Sequence, residues 1–195
     1  EPLLPDRLRR DALAAGGERV LLIDGDVRRA TLSRRLDLGS RKGLLDIARG
    51  AKASECVYPT RFPGLDCLPA GRLDAGGLEA LSTDGFRQRI QALKHIYRWI
   101  VCDAPPVLAV ADAAILCRVA DEVVLVVRAS QAPLRAVQGA IQQLERVGAR
   151  VRGAILNAAD LQADSYYYRY YYSGYYGDYG SPSRRSPSKK AKQRK

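Results

Sequence analysis

Five short, mostly apolar runs punctuate the first 157 positions, without strict alternation. They are Val20-Leu21-Leu22-Ile23, Leu65–Leu68, Trp99–Cys102, Val123–Val127 and Val151–Leu156. A run of four to six apolar residues fits a strand buried on both faces, as in a parallel sheet. Helical spacing fills the gaps. Apolar residues recur at three and four positions over Phe86–Tyr97 after an Asp84 cap, over Ala111–Val119, and over Leu134–Val147 from a Pro133 start. Residues Arg7–Ala15 read as the end of a further helix, stopped by Gly16-Gly17. Strands alternating with helices predict an α/β fold, a mostly parallel sheet flanked by helices on both faces. Such sheets place their sites beyond the carboxyl ends of the strands. The residues at those ends are Asp24, Asp26, Asp103, Arg128 and Asn157.

Charge changes this picture at one end only. The 195 residues carry a net +11, but residues 165–195 hold eight Lys/Arg and one acid, so this stretch alone contributes +7. Nine of the 11 tyrosines also lie there, at Tyr166, Tyr167, Tyr168, Tyr170, Tyr171, Tyr172, Tyr175, Tyr176 and Tyr179, followed by a Ser/Pro/Arg/Lys run. That composition cannot bury enough apolar surface to order itself. A domain over 1–164 and a flexible, disordered tail over 165–195 are therefore expected. No apolar run approaches the ~18–20 residues of a membrane span, and no secretory segment opens the chain. The four cysteines, at 56, 67, 102 and 117, match neither a metal pattern nor a disulfide scaffold and read as reduced, buried thiols. The chain contains no Met, which suggests a fragment or a processed form.

Two constellations carry candidate chemistry. In Leu-Leu-Ile-Asp24-Gly-Asp26-Val-Arg28, two carboxylates two residues apart on an extended backbone point the same way and invite a cation between them. A hard divalent cation such as Mg²⁺ suits one or two carboxylates plus phosphate oxygens. An equally open alternative is a turn after a strand, with Asp24 capping a helix that starts near Thr31. In Trp-Ile-Val-Cys-Asp103-Ala-Pro-Pro, an acid ends a buried strand, as does the metal-supporting carboxylate of phosphate-binding ATPases, though taken alone an Asp opening a turn before Pro is the simpler reading. The tyrosine run offers nine hydroxyls as phosphoryl acceptors, or else is a low-complexity linker. The one histidine, His95, sits near a helix end and fits a surface role, and no Ser/His/Asp or Cys/His set supports nucleophilic hydrolysis.

Taken in order, these segments resemble the bacterial tyrosine kinases of capsular and exopolysaccharide synthesis, relatives of the deviant P-loop ATPases. Val-Leu-Leu-Ile-Asp-Gly-Asp-Val-Arg is similar to the family's second Walker motif, and Ile-Val-Cys-Asp-Ala-Pro-Pro to its Walker B. Gly43–Gly50, Leu68-Pro-Ala-Gly71, Val110-Ala-Asp-Ala and the tyrosine tail resemble further family segments. The resemblance implies a P-loop NTPase-like fold and a protein-tyrosine autokinase using ATP and Mg²⁺. Asp24 would accept the proton of the substrate tyrosine and contact the Mg²⁺ shell. Asp26 and Asp103 would hold Mg²⁺, Arg28 would order the charged site, and Asn157 would contact adenine. The nine tail tyrosines would be acceptors, phosphorylated in trans. Implied partners are further copies of the chain in a ring-like homo-oligomer, a membrane polysaccharide co-polymerase that activates it, and a cognate tyrosine phosphatase. The implied location is the cytoplasmic face of the bacterial plasma membrane.

The match has gaps. The family's Gly-rich loop ending Gly-Lys-Ser/Thr would fall at or before Glu1, and residues 1–8 contain neither Gly nor Lys. The strand before that loop and the oligomer-contact segment are not found either. Gly76-Gly77 stands where relatives more often carry Asn-Pro. Truncation is the expectation here, with a loop-less substrate or scaffold as the alternative. Two further alternatives are a partitioning-type ATPase, which needs no tyrosine cluster, and a basic-tail module binding nucleic acid or lipid. The body offers no nucleic-acid signature, since Phe62 and Phe86 are its only phenylalanines.

Overall fold

The computed structural model describes residues 17–129 and 131–159. The chain divides into two units, Glu1–Asn157 and Ala158–Lys195. The helix expected over Arg7–Ala15 and all nine tail tyrosines lie outside the described residues.

Strand β1 (Val20–Asp24) is buried along its whole length, as its unbroken apolar run demands. It pairs in parallel with β3 (Leu65–Leu68) on one side and β4 (Trp99–Asp103) on the other. A two-residue strand, β2 (Tyr58–Pro59), closes the far edge of β3 antiparallel, giving the order β2-β3-β1-β4. A second sheet pairs β5 (Val123–Arg128) in parallel with β6 (Val151–Asn157). Five parallel strands in the expected places bear out the α/β reading.

One face of β1 carries the main core. Leu21 and Ile23 pack with residues of four helices: α2 (Leu44–Ala48), α3 (Ala53–Cys56), α5 (Asp84–Leu93) and α6 (Asp112–Cys117). Phe86, Ile90 and Leu93 project from α5 at the helical period predicted for that segment. The helix differs in two details. Thr83 rather than Asp84 is the cap, its hydroxyl accepting from the Phe86 amide at 3.2 Å, and the helix ends at Leu93, four residues early. The other face of β1 carries a smaller cluster of Val20, Leu22 and Leu65, supported by Leu32 and Leu36 from α1 (Thr31–Arg35) and its C-cap. Helix α7 (Leu134–Arg146) forms nearly as predicted. The one-turn helix α4 (Gly77–Ala80) starts from Gly76 at φ +83°, a left-handed position that Asn also tolerates.

The expectation of burial on both faces fails for three strands. On β5 and β6, Val126 is 57% exposed and Leu156 62%, and Trp99 of β4 is half exposed. The cause is the sheet order. Among the described residues, β4 and β5 each pair on one edge only, so their apolar side chains lack neighbours that a continuous sheet would supply. The cysteines divide in the same way. Cys56 and Cys67 are buried, whereas Cys117 is partly and Cys102 well exposed, and all four are free thiols.

Tyr97 anchors the turn between α5 and β4. It is buried, its hydroxyl donates to Asp66 at 2.8 Å, and the Arg19 guanidinium lies 4.9 Å from its ring centre. Burial, followed by the hydrogen bond to Asp66, pushes the phenol up to about 12. The folded state therefore holds this proton more tightly than the unfolded chain. Its stabilisation is complete below pH ~10 and is lost as pH rises toward 12. Urea midpoints measured between pH 8 and 11.5 should fall more steeply for the wild type than for Tyr97→Phe. Parallel slopes would contradict this.

Candidate functional site

The register of β1 and β4 sets Asp24 directly opposite Asp103, at the carboxyl ends of two adjacent parallel strands. The Gly25 amide donates to the Asp103 carbonyl at 2.8 Å and closes the strand ends together. Gly25 is required there. A Cβ at that position would lie 2.7–2.9 Å from Leu116 Cδ1, Cys102 Sγ and the Asp103 carbonyl. The sequence pattern thus brought two of its acids together through the sheet itself.

Asp24 is fully buried. Its Oδ2 accepts from the Ser33 amide at 2.7 Å and from the Ser33 hydroxyl at 2.6 Å. Its Oδ1 has no hydrogen-bond partner. One oxygen serves the first turn of α1 through Ser33, although Ala30 stands at the cap position of that helix. A buried carboxylate oxygen without a donor is costly unless function retains it.

Asp26 is half-buried, and its Oδ1 accepts from the Arg29 amide at 3.1 Å. Arg28 is bonded to α6 while still feeling the charge of Asp26. Its Nε and Nη2 donate to Asp112 Oδ2 and Oδ1 at 2.7 and 3.2 Å. Asp112 is almost fully buried and Arg28 44% exposed. This bidentate pair, foremost through its hydrogen bonds, raises the Arg28 pKa further and ties the turn after β1 to α6. The partner of Arg28 lies 84 residues away in the sequence.

Cys102 lies beside the acids. Burial of its thiol, with Asp103 and Asp24 nearby, pushes it up to about 12, so it stays a neutral thiol and is no nucleophile. Although the residue as a whole counts as exposed, its sulfur faces the crowded Gly25 turn, and that local environment decides its protonation. Arg128 and Asn157 end β5 and β6 as a register pair, and the Asn157 carbonyl accepts from the Ala129 amide at 2.9 Å. The exposed His95 follows α5, as expected.

Among the described residues no group of three or more His, Cys, Asp or Glu side chains is arranged to hold a metal ion. Asp26 bonds within its own turn, and Asp24 and Asp103 are the two acids that the register pairs at the strand ends. Two carboxylates suit a hard cation that takes most of its ligands from phosphate and water, and do not suit an all-protein cage. Ser33 and Asp112 are site residues that sequence reasoning missed. Asp112 lies within Val110-Ala-Asp-Ala, a segment noted only for its resemblance.

Parallel strands that end in acids, flanked by helices, place the chain in the α/β fold of the P-loop NTPase type. The comparisons narrow this class. The family model for the cellulose biosynthesis protein BcsQ matches residues 8–148. The chain is 36% identical over 157 residues to the putative tyrosine-protein kinase EpsB of Ralstonia solanacearum, covering 80% of this chain and 21% of that protein. It is 32% identical over 181 residues to the tyrosine-protein kinase CpsD of Streptococcus agalactiae, covering 92% of this chain and 75% of that one. The crystal structure of the VpsO kinase domain superposes with a TM-score of 0.71 at 35% identity, covering 77% of this chain and 75% of that chain. The chain belongs to the bacterial tyrosine-protein kinases, within the wider group that the BcsQ model describes. It spans about a fifth of the length of relatives such as EpsB and three quarters of CpsD. Among the described residues no helix is long and apolar enough to cross a membrane.

Proposed function

We propose that the chain is the kinase part of a protein-tyrosine autokinase of a capsule or exopolysaccharide system, with the tail tyrosines between Tyr166 and Tyr179 as acceptors. The observation that carries this reading is Asp24 Oδ1, a fully buried carboxylate oxygen with no partner at the carboxyl end of β1. Asp24 is the base that takes the proton of an incoming tyrosine hydroxyl. Asp103, opposite it in the register, holds Mg²⁺ directly or through water, with Asp26 completing the acidic rim. Arg28 keeps the turn in place through Asp112, and Asn157 contacts the adenine. Mg²⁺·ATP supplies the phosphoryl group and neutralises its charge as it transfers. The phosphates would need a cradling loop, and among the described residues β4 and β5 each keep one edge without a strand at which such a segment could pair. Residues 1–164 form the kinase domain and 165–195 a basic tail that reaches another copy in a homo-oligomer. Each phosphate adds about −1.5 to −2 charges at pH 7, so four or five largely cancel or reverse the +7 of the tail and release it. A membrane co-polymerase and a tyrosine phosphatase set the balance at the inner membrane face.

The test is incubation of the chain with Mg²⁺·ATP, alone and mixed with an active family member, followed by mass spectrometry of residues 166–179. Little phosphotyrosine is expected from residues 1–195 alone, which hold no Gly-Lys-Ser/Thr sequence to cradle the phosphates, and full autophosphorylation is expected once a form carrying such a loop is used. Phosphotyrosine only in the mixture, with the loop-bearing form inactive by itself, makes the chain a substrate or scaffold. ATP hydrolysis without phosphotyrosine moves it to the partitioning-type ATPases, whose fold it also shares.

A further inference from the structure

Ser33 occupies a position no sequence motif singles out, yet every polar atom it has is committed. It is 1% exposed, in the middle of the one-turn helix α1. Its amide and its hydroxyl both reach Asp24 Oδ2, and its hydroxyl oxygen accepts from the Ala70 amide at 2.9 Å. The direction of this chain is fixed by chemistry. An amide can only donate, so Ala70 takes a lone pair of the hydroxyl, and the single hydroxyl proton points at the carboxylate. Two donors on Oδ2 fix the rotation of the carboxyl group and leave Oδ1, itself buried, without a donor among the described residues. The anchor behind Ser33 is equally firm. Pro69 and Ala70 accept through their carbonyls from the Leu44 and Leu45 amides at 2.7 and 3.1 Å, so the turn after β3 is bonded to the start of α2. Asp24 is thus held from β1, α1 and the turn after β3 at once.

We propose that Ser33 is the positioning residue for Asp24, aiming Oδ1 at the hydroxyl proton of the tyrosine to be phosphorylated. The proposal rests on the kinase reading of Asp24. Ser33 touches no substrate. It acts by saturating one oxygen and thereby selecting the other. Hydrogen-bonded partners behind a functional group typically change activity by about 10–100-fold when removed.

The test uses the full chain in its loop-bearing form as Ser33→Ala, Ser33→Cys and Ser33→Thr. Ser33→Ala should lower kcat for tyrosine phosphorylation by about 10–100-fold with the KM for Mg²⁺·ATP within about twofold. Ser33→Thr, which keeps the hydroxyl, should recover to within about threefold of wild type, and Ser33→Cys, a weak donor, should fall between. Equal losses in Ala, Cys and Thr, or a rise in KM that accounts for the whole effect, would overturn the proposal. A crystal structure of Ser33→Ala gives a readout independent of activity. The Asp24 carboxyl should rotate away from its wild-type position, and an unmoved carboxyl overturns the role of Ser33 whatever the kinetics. Absence of phosphotyrosine in every form, wild type included, would remove the kinase reading instead, while the carboxyl position still decides whether Ser33 orients Asp24.

Discussion

Asp24→Asn is expected to abolish tyrosine phosphorylation while leaving the protein at least as stable as wild type. The two halves of this result come from the same atom. Asp24 is fully buried, and Oδ1 has no donor. A general base contributes typically 10²–10⁴-fold, so an amide, which cannot take a proton, should reduce the rate by about a thousandfold. Stability responds in the opposite sense. A buried polar atom left without a partner costs about 1–3 kcal/mol, and more when the group is ionised. The Asn carbonyl oxygen can still accept both bonds from Ser33, so the interaction that orders α1 survives. Thermal melts of wild type and Asp24→Asn beside a phosphotyrosine assay of the loop-bearing form decide the matter. A variant that melts well below wild type would show Asp24 to be a capping acid of α1 and nothing more. A variant that melts as high but keeps its activity would remove the general base from the proposed mechanism.

That split between activity and stability explains why half of the site was legible in the sequence. Acids that end apolar runs are conspicuous because a parallel sheet buries its strands and leaves their carboxyl ends open, so Asp24 and Asp103 stood out and the register then paired them. The long helix Leu134–Arg146 was legible for a similar reason, since thirteen residues give several turns of period. The one-turn helices at Leu44–Ala48, Ala53–Cys56 and Gly77–Ala80 were not. Four or five residues cannot show a period, and such helices form because their neighbours bury them. Ser33 and Asp112 were hidden differently. Each matters only through a partner, nine residues away for Ser33 and 84 for Asp112, and sequence separation carries no sign of such a bond. The exposed faces of β5 and β6 show the opposite error. Val123–Val127 and Val151–Leu156 read correctly as strands, but burial depends on what lies beside a strand, which its own residues do not encode.

Gly43→Ala should cost about 3 kcal/mol or more, the largest loss expected from adding one methyl group to this chain. The backbone at Gly43 is extended, at φ −159°, so no conformational preference of glycine is at stake there. The obstacle is space. An added Cβ would lie 2.0 Å from the Pro69 carbonyl oxygen and 2.5 Å from the Gly71 amide nitrogen. Both are backbone atoms, and neither can rotate aside. The two segments would have to part, and the hydrogen bonds from Leu44 and Leu45 to Pro69 and Ala70 would stretch with them. Leu44, Leu45 and Ile47, none more than 1% exposed, would lose packing in the main core. For a chain of this length such a loss lowers the melting temperature by roughly 6–12 °C. Gly76→Ala is the control. Gly76 is left-handed at φ +83° but has open space around it, so alanine there costs only the conformational penalty of about 1–2 kcal/mol. If the two variants melt together, the clash at Pro69 is relieved at little cost and the junction is looser than its geometry implies. If Gly43→Ala alone falls, the effect should extend to the site, because the turn it displaces bears the Ala70 amide that holds Ser33, and through Ser33 the carboxylate of Asp24.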